Sequence, residues 1–313
     1  MYTGITNYFA RYSDYIIKIG EKINLKILIT GASGLLGREI VKILSNSHKT
    51  EGWAYSRVDK FMKIDLFDFK LVEKAFFDFS PDILIHSAAE RRPDVMKNNP
   101  HKAWKMNVDI SAYLSELCSK NNTFIIFIST DYVFDGTSPP YIEESKTCPL
   151  NLYGESKEKA EKMVRDKCSK NCIIRIPILY GPTKDLNESA VTILASQLLS
   201  NIKKEVFIND GAIRYPTLTN DVAKAIKLLI EKGSSGTFHI SAEEPYTKYS
   251  MAKLIVPFID FDINNIFPDT TLNTGTKRPL NSHLNNTKIR RLGFKYYTPF
   301  KEGLSLVFNT FKS

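Results

Sequence analysis

Tyr153-Gly-Glu-Ser-Lys157 places a phenol and an ammonium four residues apart. On a helix such residues share a face and can point into one cleft. A cation beside a phenol favours the phenolate and lowers its pKa from about 10, which readies it for proton transfer. Thr130 lies 23 residues earlier in Ile128-Ser-Thr130-Asp-Tyr132, where a hydroxyl at a strand end can hydrogen-bond a substrate carbonyl. Tyr-x-x-x-Lys is common by chance, so its weight depends on what accompanies it.

Gly31-Ala-Ser33-Gly34-Leu35-Leu36-Gly37 follows a short apolar run and opens a periodic one. Glycines there permit a tight turn, close approach of backbone to a pyrophosphate, and packing of helix on strand. NAD-binding chains usually carry an acid about 20 residues on, to hold the ribose hydroxyls. Here the corresponding strand end reads Tyr55-Ser56-Arg57. A planar guanidinium suits the 2′-phosphate of NADP. Asp59 nearby speaks for NAD, and a solvated loop arginine is the plainer alternative; NADP is the favoured cofactor.

These residues need a scaffold, and the apolar pattern supplies one. Strands are expected at Leu25–Thr30, Gly52–Tyr55, Ile83–His86, Phe124–Ser129 and Cys172–Arg175. Helices are expected at Leu36–Leu44, Phe69–Phe79, Ala103–Lys120 and Tyr153–Asp166. Alternation at this spacing argues for an α/β fold, a doubly wound parallel sheet of Rossmann type. Beyond Leu179 the pattern loosens, with helices near Ser189–Leu199 and Asn220–Lys232 and a strand at Gly236–Ile240. The expected organisation is an N-terminal extension over 1–24 and a dinucleotide-binding domain over 25–180, completed by about 211–242. A smaller α+β substrate or partner domain is expected from 181–210 and 243–313.

The chain has 313 residues, 43% hydrophobic and 25% charged, which is ordinary for a globular protein. No apolar run reaches the roughly 18–20 residues that span a bilayer. Residues 1–24 lack the apolar core of a secretory signal. Four cysteines (Cys118, Cys148, Cys168, Cys172) in so long a chain are no disulfide framework, so a reducing, cytoplasmic compartment is expected. The net charge is +9, but residues 276–313 alone contribute +7 and the first 275 only +2. No nucleic-acid motif accompanies that basic segment, so an acidic partner surface or a phosphate is its expected counterpart.

Leu25 to about Phe300 resembles an extended short-chain dehydrogenase/reductase. The runs Ser129–Gly136 (STDYVFDG), Pro149–Lys157 (PLNLYGESK) and Arg175–Pro182 (RIPILYGP) resemble the dTDP-4-dehydrorhamnose reductase group. His86–Val95 (HSAAERRPDV), Leu186–Val191 (LNESAV), Gly236–His239 (GTFH) and Thr247–Ala252 (TKYSMA) are similar to the regulatory beta subunits of methionine adenosyltransferase. Glu90–Asp94 discriminates best, since the sugar reductases typically carry an acidic, Thr-containing stretch there. Thr130 matches the sugar reductases, whereas the regulatory subunits carry Ser.

The resemblance implies that Ser33, Gly34, Leu35 and Leu36 surround a pyrophosphate and that Tyr55, Ser56 and Arg57 hold the adenosine phosphate. Asp65 and Leu66 would flank the adenine. Ser87 and Arg91 would line the channel, Tyr153 and Lys157 the nicotinamide ribose, and Leu179 the carboxamide end. Arg278, in Lys277-Arg278-Pro279, would contact a sugar-nucleotide diphosphate, the alternative being a solvated loop arginine. The implied partner is the methionine adenosyltransferase catalytic subunit, reached through a C-terminal tail that is short in this chain.

Other features carry less. Cys168-x-x-x-Cys172 has no second pair to complete a four-ligand zinc site, so no metal is expected. His86 reads as a hydrogen-bonded core residue, and Tyr249, Met251 and Ile255 as helix packing. Two readings stand: an NADP-binding regulatory subunit that tunes S-adenosylmethionine synthesis, or an NADPH-dependent reductase of a nucleotide-linked 4-keto sugar. In the second, Tyr153 protonates the forming alkoxide, Lys157 lowers its pKa and Thr130 orients the carbonyl.

Overall fold

The computed structural model describes residues 24–183, 185–202, 204–271, 275–295 and 297–312. The extension expected over 1–24 therefore lies, except for Asn24, outside the described residues. Strands β1 (Lys26–Thr30), β2 (Lys49–Ala54), β3 (Met62–Lys63), β4 (Ile83–His86), β5 (Phe124–Thr130), β6 (Asn171–Ile176) and β10 (Gly236–His239) form one sheet in the order β10-β6-β5-β4-β1-β2-β3. Every pairing in it is parallel. The fold is thus the doubly wound α/β arrangement the alternation implied.

A parallel sheet is covered on both faces, so its central strands carry no polar side. Every residue of β4 and β5 is buried. Side chains alternate across the sheet. Ile27, Ile29, Ile83, Ile85 and Ile126 join one core with Ile40 of helix α1 (Leu35–Leu44) and Ile226. Leu28, Leu84, Ile125 and Phe127 join the other, with Phe76 of α2 (Phe69–Phe79), Leu114 and Val164.

The helix expected over Ala103–Lys120 is interrupted. Two short helices, α3 (Pro93–Asn98) and α4 (Pro100–Trp104), precede a wide π turn over Lys105–Asp109, and α5 (Ile110–Lys120) follows. Each short helix starts on a proline, which tolerates that position because its missing N–H has no helical partner there. Helix α6 (Leu152–Lys167) begins at Asn151, whose side chain accepts the Gly154 N–H at 3.0 Å.

After β7 (Leu179–Tyr180), helix α7 (Thr192–Leu199) and strand β8 (Val206–Asn209) lead to β9 (Thr217–Leu218). Helix α8 (Thr219–Glu231) then returns against the main sheet, packed on α1. Helix α9 (Lys248–Ile255), strand β11 (Ile266–Asp269), which pairs in parallel with β8, and helices α10 (Thr287–Arg291) and α11 (Phe300–Lys312) complete the chain. Met251 and Ile255 share a third core with Leu194, Leu198, Phe300, Leu304, Val307 and Phe308. Phe300, Leu304, Val307 and Phe308 of α11 are thus buried inside this chain, while Leu306 is 54% exposed. Among the described residues no helix is long and apolar enough to cross a membrane.

Candidate functional site

The strand order reverses between β1 and β4, where a doubly wound sheet opens a crevice beyond its strand ends. Thr30 and His86 are register partners there. The Ser87 hydroxyl donates to the Thr30 carbonyl at 2.6 Å, tying the two strand ends together. His86 is the core residue expected: its ring nitrogens meet Thr30 Oγ1 at 2.7 Å and Ser111 Oγ at 3.1 Å. Burial, with the charge of Lys157 adding to it, pushes its pKa down to about 3, so the ring is neutral.

The glycine turn fits the floor of this crevice tightly. Gly31 has φ of +69°, and a Cβ there would lie 2.8 Å from the Ala88 amide nitrogen. A Cβ on Gly37 would lie 2.2 Å from the Gly31 carbonyl oxygen. Gly34 is the N-cap of α1, with no side chain capping it and no acid in the first turn. An uncapped helix N-terminus on a glycine-rich turn is a cradle for phosphate. Ser33 Oγ donates to the Ser56 carbonyl at 2.8 Å, bracing the turn against the end of β2.

Leu36 and Leu66 are each 8% exposed, with their side chains in the two sheet cores. Leu35 is half-buried, Tyr55 and Ser56 are exposed, and the Asp65 carboxylate accepts the Phe67 N–H at 3.0 Å. Leu179 pairs with Thr217 and packs on the sheet core. Arg57 adopts φ of +53° and pairs with the Glu188 carboxylate. Arg91 donates to the Glu188 carbonyl.

Glu188, which no local spacing marks, gathers two of the expected site residues, Arg57 and Arg91. Arg38 meets its carboxylate in two bonds, at 2.9 and 2.7 Å, and the Thr183 hydroxyl donates to it as well. Burial raises this carboxyl, but Arg38, Thr183 and Arg57 outweigh it and hold the pKa at about 2.

At the next strand end, Thr130 closes β5 and Tyr153 sits in the first turn of α6. Gly154 brings them together: a Cβ there would meet the Tyr132 carbonyl oxygen at 2.2 Å, so only glycine lets α6 start this close. The Thr130 hydroxyl, beside the Tyr153 phenol, donates to Asp131 at 3.1 Å and accepts the Tyr132 N–H at 3.2 Å. The expectation that Lys157 lowers the Tyr153 pKa is corrected here. Burial pushes the phenol above its ordinary value, and the groups that oppose this are Thr130 and Arg91. The Lys157 ammonium instead lies over the Phe127 ring, 3.9 Å from its centroid, and burial pushes its pKa down to about 7.

Asp131, next to Thr130, joins the site as well. It is 3% exposed, accepts from Ser282, and burial pushes its pKa up to about 6 against the pull of Ser282 and Arg214. Arg278 is half-buried beside this wall: the Lys277 carbonyl accepts from Asn151 at 2.9 Å, and Pro279 and Leu280 crowd Gly136. Farther along the basic segment, Lys288 donates to the Thr237 carbonyl at 2.7 Å and Arg290 pairs with Glu243 at 2.9 Å. The four cysteines are free thiols, and among the described residues no group of three or more His, Cys, Asp or Glu is arranged to hold a metal.

The RmlD substrate binding domain family matches residues 25–313. The chain is 39% identical over 298 residues to methionine adenosyltransferase 2 subunit beta of Bos taurus, covering 91% of this chain and 89% of that protein. It is 29% identical over 270 residues to a dTDP-4-keto-6-deoxy-D-glucose reductase of Streptomyces niveus, covering 85% and 90%. Among solved structures, dTDP-4-dehydrorhamnose reductase from Bacillus anthracis, in complex with NADP, superimposes with a TM-score of 0.81 at 25% identity, covering 92% of this chain and 99% of that one. The chain belongs to the RmlD substrate binding domain family, within the branch whose members carry the name methionine adenosyltransferase 2 subunit beta.

Proposed function

We propose that this chain is a cytoplasmic, NADP-binding regulatory subunit of methionine adenosyltransferase, which docks on the catalytic subunit and modulates S-adenosylmethionine synthesis. The contact between Arg91 and Glu188 carries the reading. Two of the four stretches similar to the regulatory subunits, His86–Val95 and Leu186–Val191, are far apart in sequence and meet through this contact at the crevice. The chemistry of the donors fits a phosphorylated dinucleotide. The Gly31–Gly34 turn and the N-terminus of α1 would hold the pyrophosphate, with Leu35 and Leu36 offering main chain. Arg57 would take the 2′-phosphate, beside Tyr55 and Ser56, while Asp65 and Leu66 flank the adenine. Ser87, Arg91, Tyr153, Lys157 and Leu179 would line the remainder toward the nicotinamide.

In this reading residues 25–180, completed by 211–242, hold the dinucleotide, and 181–210 with 243–313 face a substrate or partner. A bound nicotinamide can supply a hydride. Of the groups around it, Tyr153 is poised to hold a proton more than to move one, whereas Lys157 has a pKa of about 7. A general acid works best with a pKa near the operating pH, and burial carries the Tyr153 phenol away from that range. The alternative, a reductase of a nucleotide-linked 4-keto sugar, is favoured by the Thr130 hydroxyl beside the Tyr153 phenol and by Arg278 near the start of α6. Association with the catalytic subunit, set against turnover of a 4-keto sugar nucleotide with NADPH, separates the two.

A further inference from the structure

Three arginines converge on residue 188: Arg38 from α1, Arg57 from the end of β2 and Arg91 after β4. They are not equivalent. Arg38 is anchored by Glu188, by the Ser33 carbonyl at 2.7 Å and by the Pro182 carbonyl at 3.3 Å, so its fork is committed to structure. Arg57 is 54% exposed, stands on a left-handed loop residue, and its recorded partner is the Glu188 carboxylate. Yet Arg57 is the cation at the end of β2, where a doubly wound fold reads the adenosine ribose.

A guanidinium presents one planar fork to an oxyanion. A 2′-phosphate arriving at Arg57 meets a fork already facing a carboxylate, whereas a free 2′-hydroxyl needs no such exchange. Glu188 keeps Arg38 and Thr183 as partners when Arg57 leaves. The exchange is therefore possible without stranding a buried charge. We propose that Glu188 is an internal anion competing with the 2′-phosphate for Arg57, and that it thereby sets how strongly the site prefers NADP over NAD. The proposal rests on the cofactor assignment above and adds a specificity-determining residue to it.

Calorimetric titration of the full chain with NADPH and with NADH, on the wild type, E188Q, R57A and the E188Q/R57A double variant, tests it. Competition requires E188Q to bind NADPH about fivefold or more tightly than the wild type, with NADH affinity within about twofold. The gain must vanish when Arg57 is also removed. Unchanged or weaker NADPH binding by E188Q would make Glu188 an anchor for Arg57 and overturn the proposal. Equal tightening of both dinucleotides, or a gain that survives R57A, would show a general field effect and overturn it too. Absence of binding by every form would sink the cofactor assignment itself, a result distinct from these. Should E188Q fail to fold, E188D draws the carboxylate back by one methylene and must show a smaller gain of the same sign; no gain overturns the proposal.

Discussion

Arg38 and Glu188, 150 residues apart in the chain, form a two-pronged ion pair at 2.9 and 2.7 Å. It fastens the helix after the glycine turn to the short turn Leu186–Glu188 that follows β7. Paired charges of this geometry fix orientation as well as distance. The crevice between them is consequently built from both ends of the chain's first 190 residues, and a change in either end reaches the other.

The ion pair has a pH signature. The Glu188 pKa is held at about 2 in the folded chain, below its ordinary value of 4.5. Its contribution is complete above the unfolded value and is lost as pH falls through the folded one. E188Q should cost about 1–3 kcal/mol at pH 7, a range discounted for the partial exposure of the arginines. The cost should shrink steadily below pH 4.5, as read by urea unfolding. A cost that stays constant down to pH 3 would assign it to packing.

Lys157 gives a slope of the same sign in a higher pH window, but as a penalty on the fold and not a contribution to it. Its folded pKa of about 7 lies below the ordinary 10.5, so the unfolded chain binds the proton more readily. The penalty is absent above the unfolded value, grows as pH falls, and is complete below about 7. K157M should therefore stabilise the fold at pH 6.5, by at most about 5 kcal/mol. The gain should be smaller at pH 9. Dinucleotide affinity should fall in the same variant, since the ammonium is the group expected at the ribose.

Beneath the site, Glu161 and Arg175 are 1% and 4% exposed and meet in two bonds at 2.9 and 2.8 Å, with Ser129 donating to the same carboxylate at 2.6 Å. Breaking such a pair from one side strands a buried charge. E161Q should cost about 3–5 kcal/mol, while E161M/R175M should recover most of that. Chemical denaturation of both variants checks it, and a double variant no more stable than the single would contradict the desolvation argument.

Local pattern reveals the sheet because its central strands are apolar on both faces: Leu28, Ile85 and Ile126 announce burial wherever they stand. It did not reveal β3, whose two residues, Met62 and Lys63, are exposed and pair only through backbone. Nor did it show the break at Lys105–Asp109, which widens one turn without disturbing the run of helix-compatible residues. The site was legible where spacing is local, as at Gly31–Gly37 and Tyr153–Lys157. Glu188 was not, because its meaning depends on Arg38 and Arg57, which only the fold brings near. Spacing also misjudged the Tyr153 phenol: four residues put Tyr153 and Lys157 on one face, but desolvation and the turn of Lys157 onto Phe127 depend on tertiary packing.

Tyr153 separates the two functional readings at one atom. Y153F keeps the ring against Tyr132, whose centroid is 6.0 Å away, and removes the hydroxyl. Association with a partner should be unaffected, with the dissociation constant within about twofold, roughly 0.4 kcal/mol. Any reductase turnover should fall by 100-fold or more, the lower range for losing a general acid. Loss of association on calorimetric titration would make the hydroxyl part of the docking structure.

The central claim is association. The full chain, mixed at micromolar concentration with the methionine adenosyltransferase catalytic subunit of its own organism, should co-elute with it on size exclusion and shift that enzyme's affinity for its substrates. Failure to form a complex, together with rapid NADPH oxidation on dTDP-4-dehydrorhamnose, would contradict it and make the chain a sugar-nucleotide reductase.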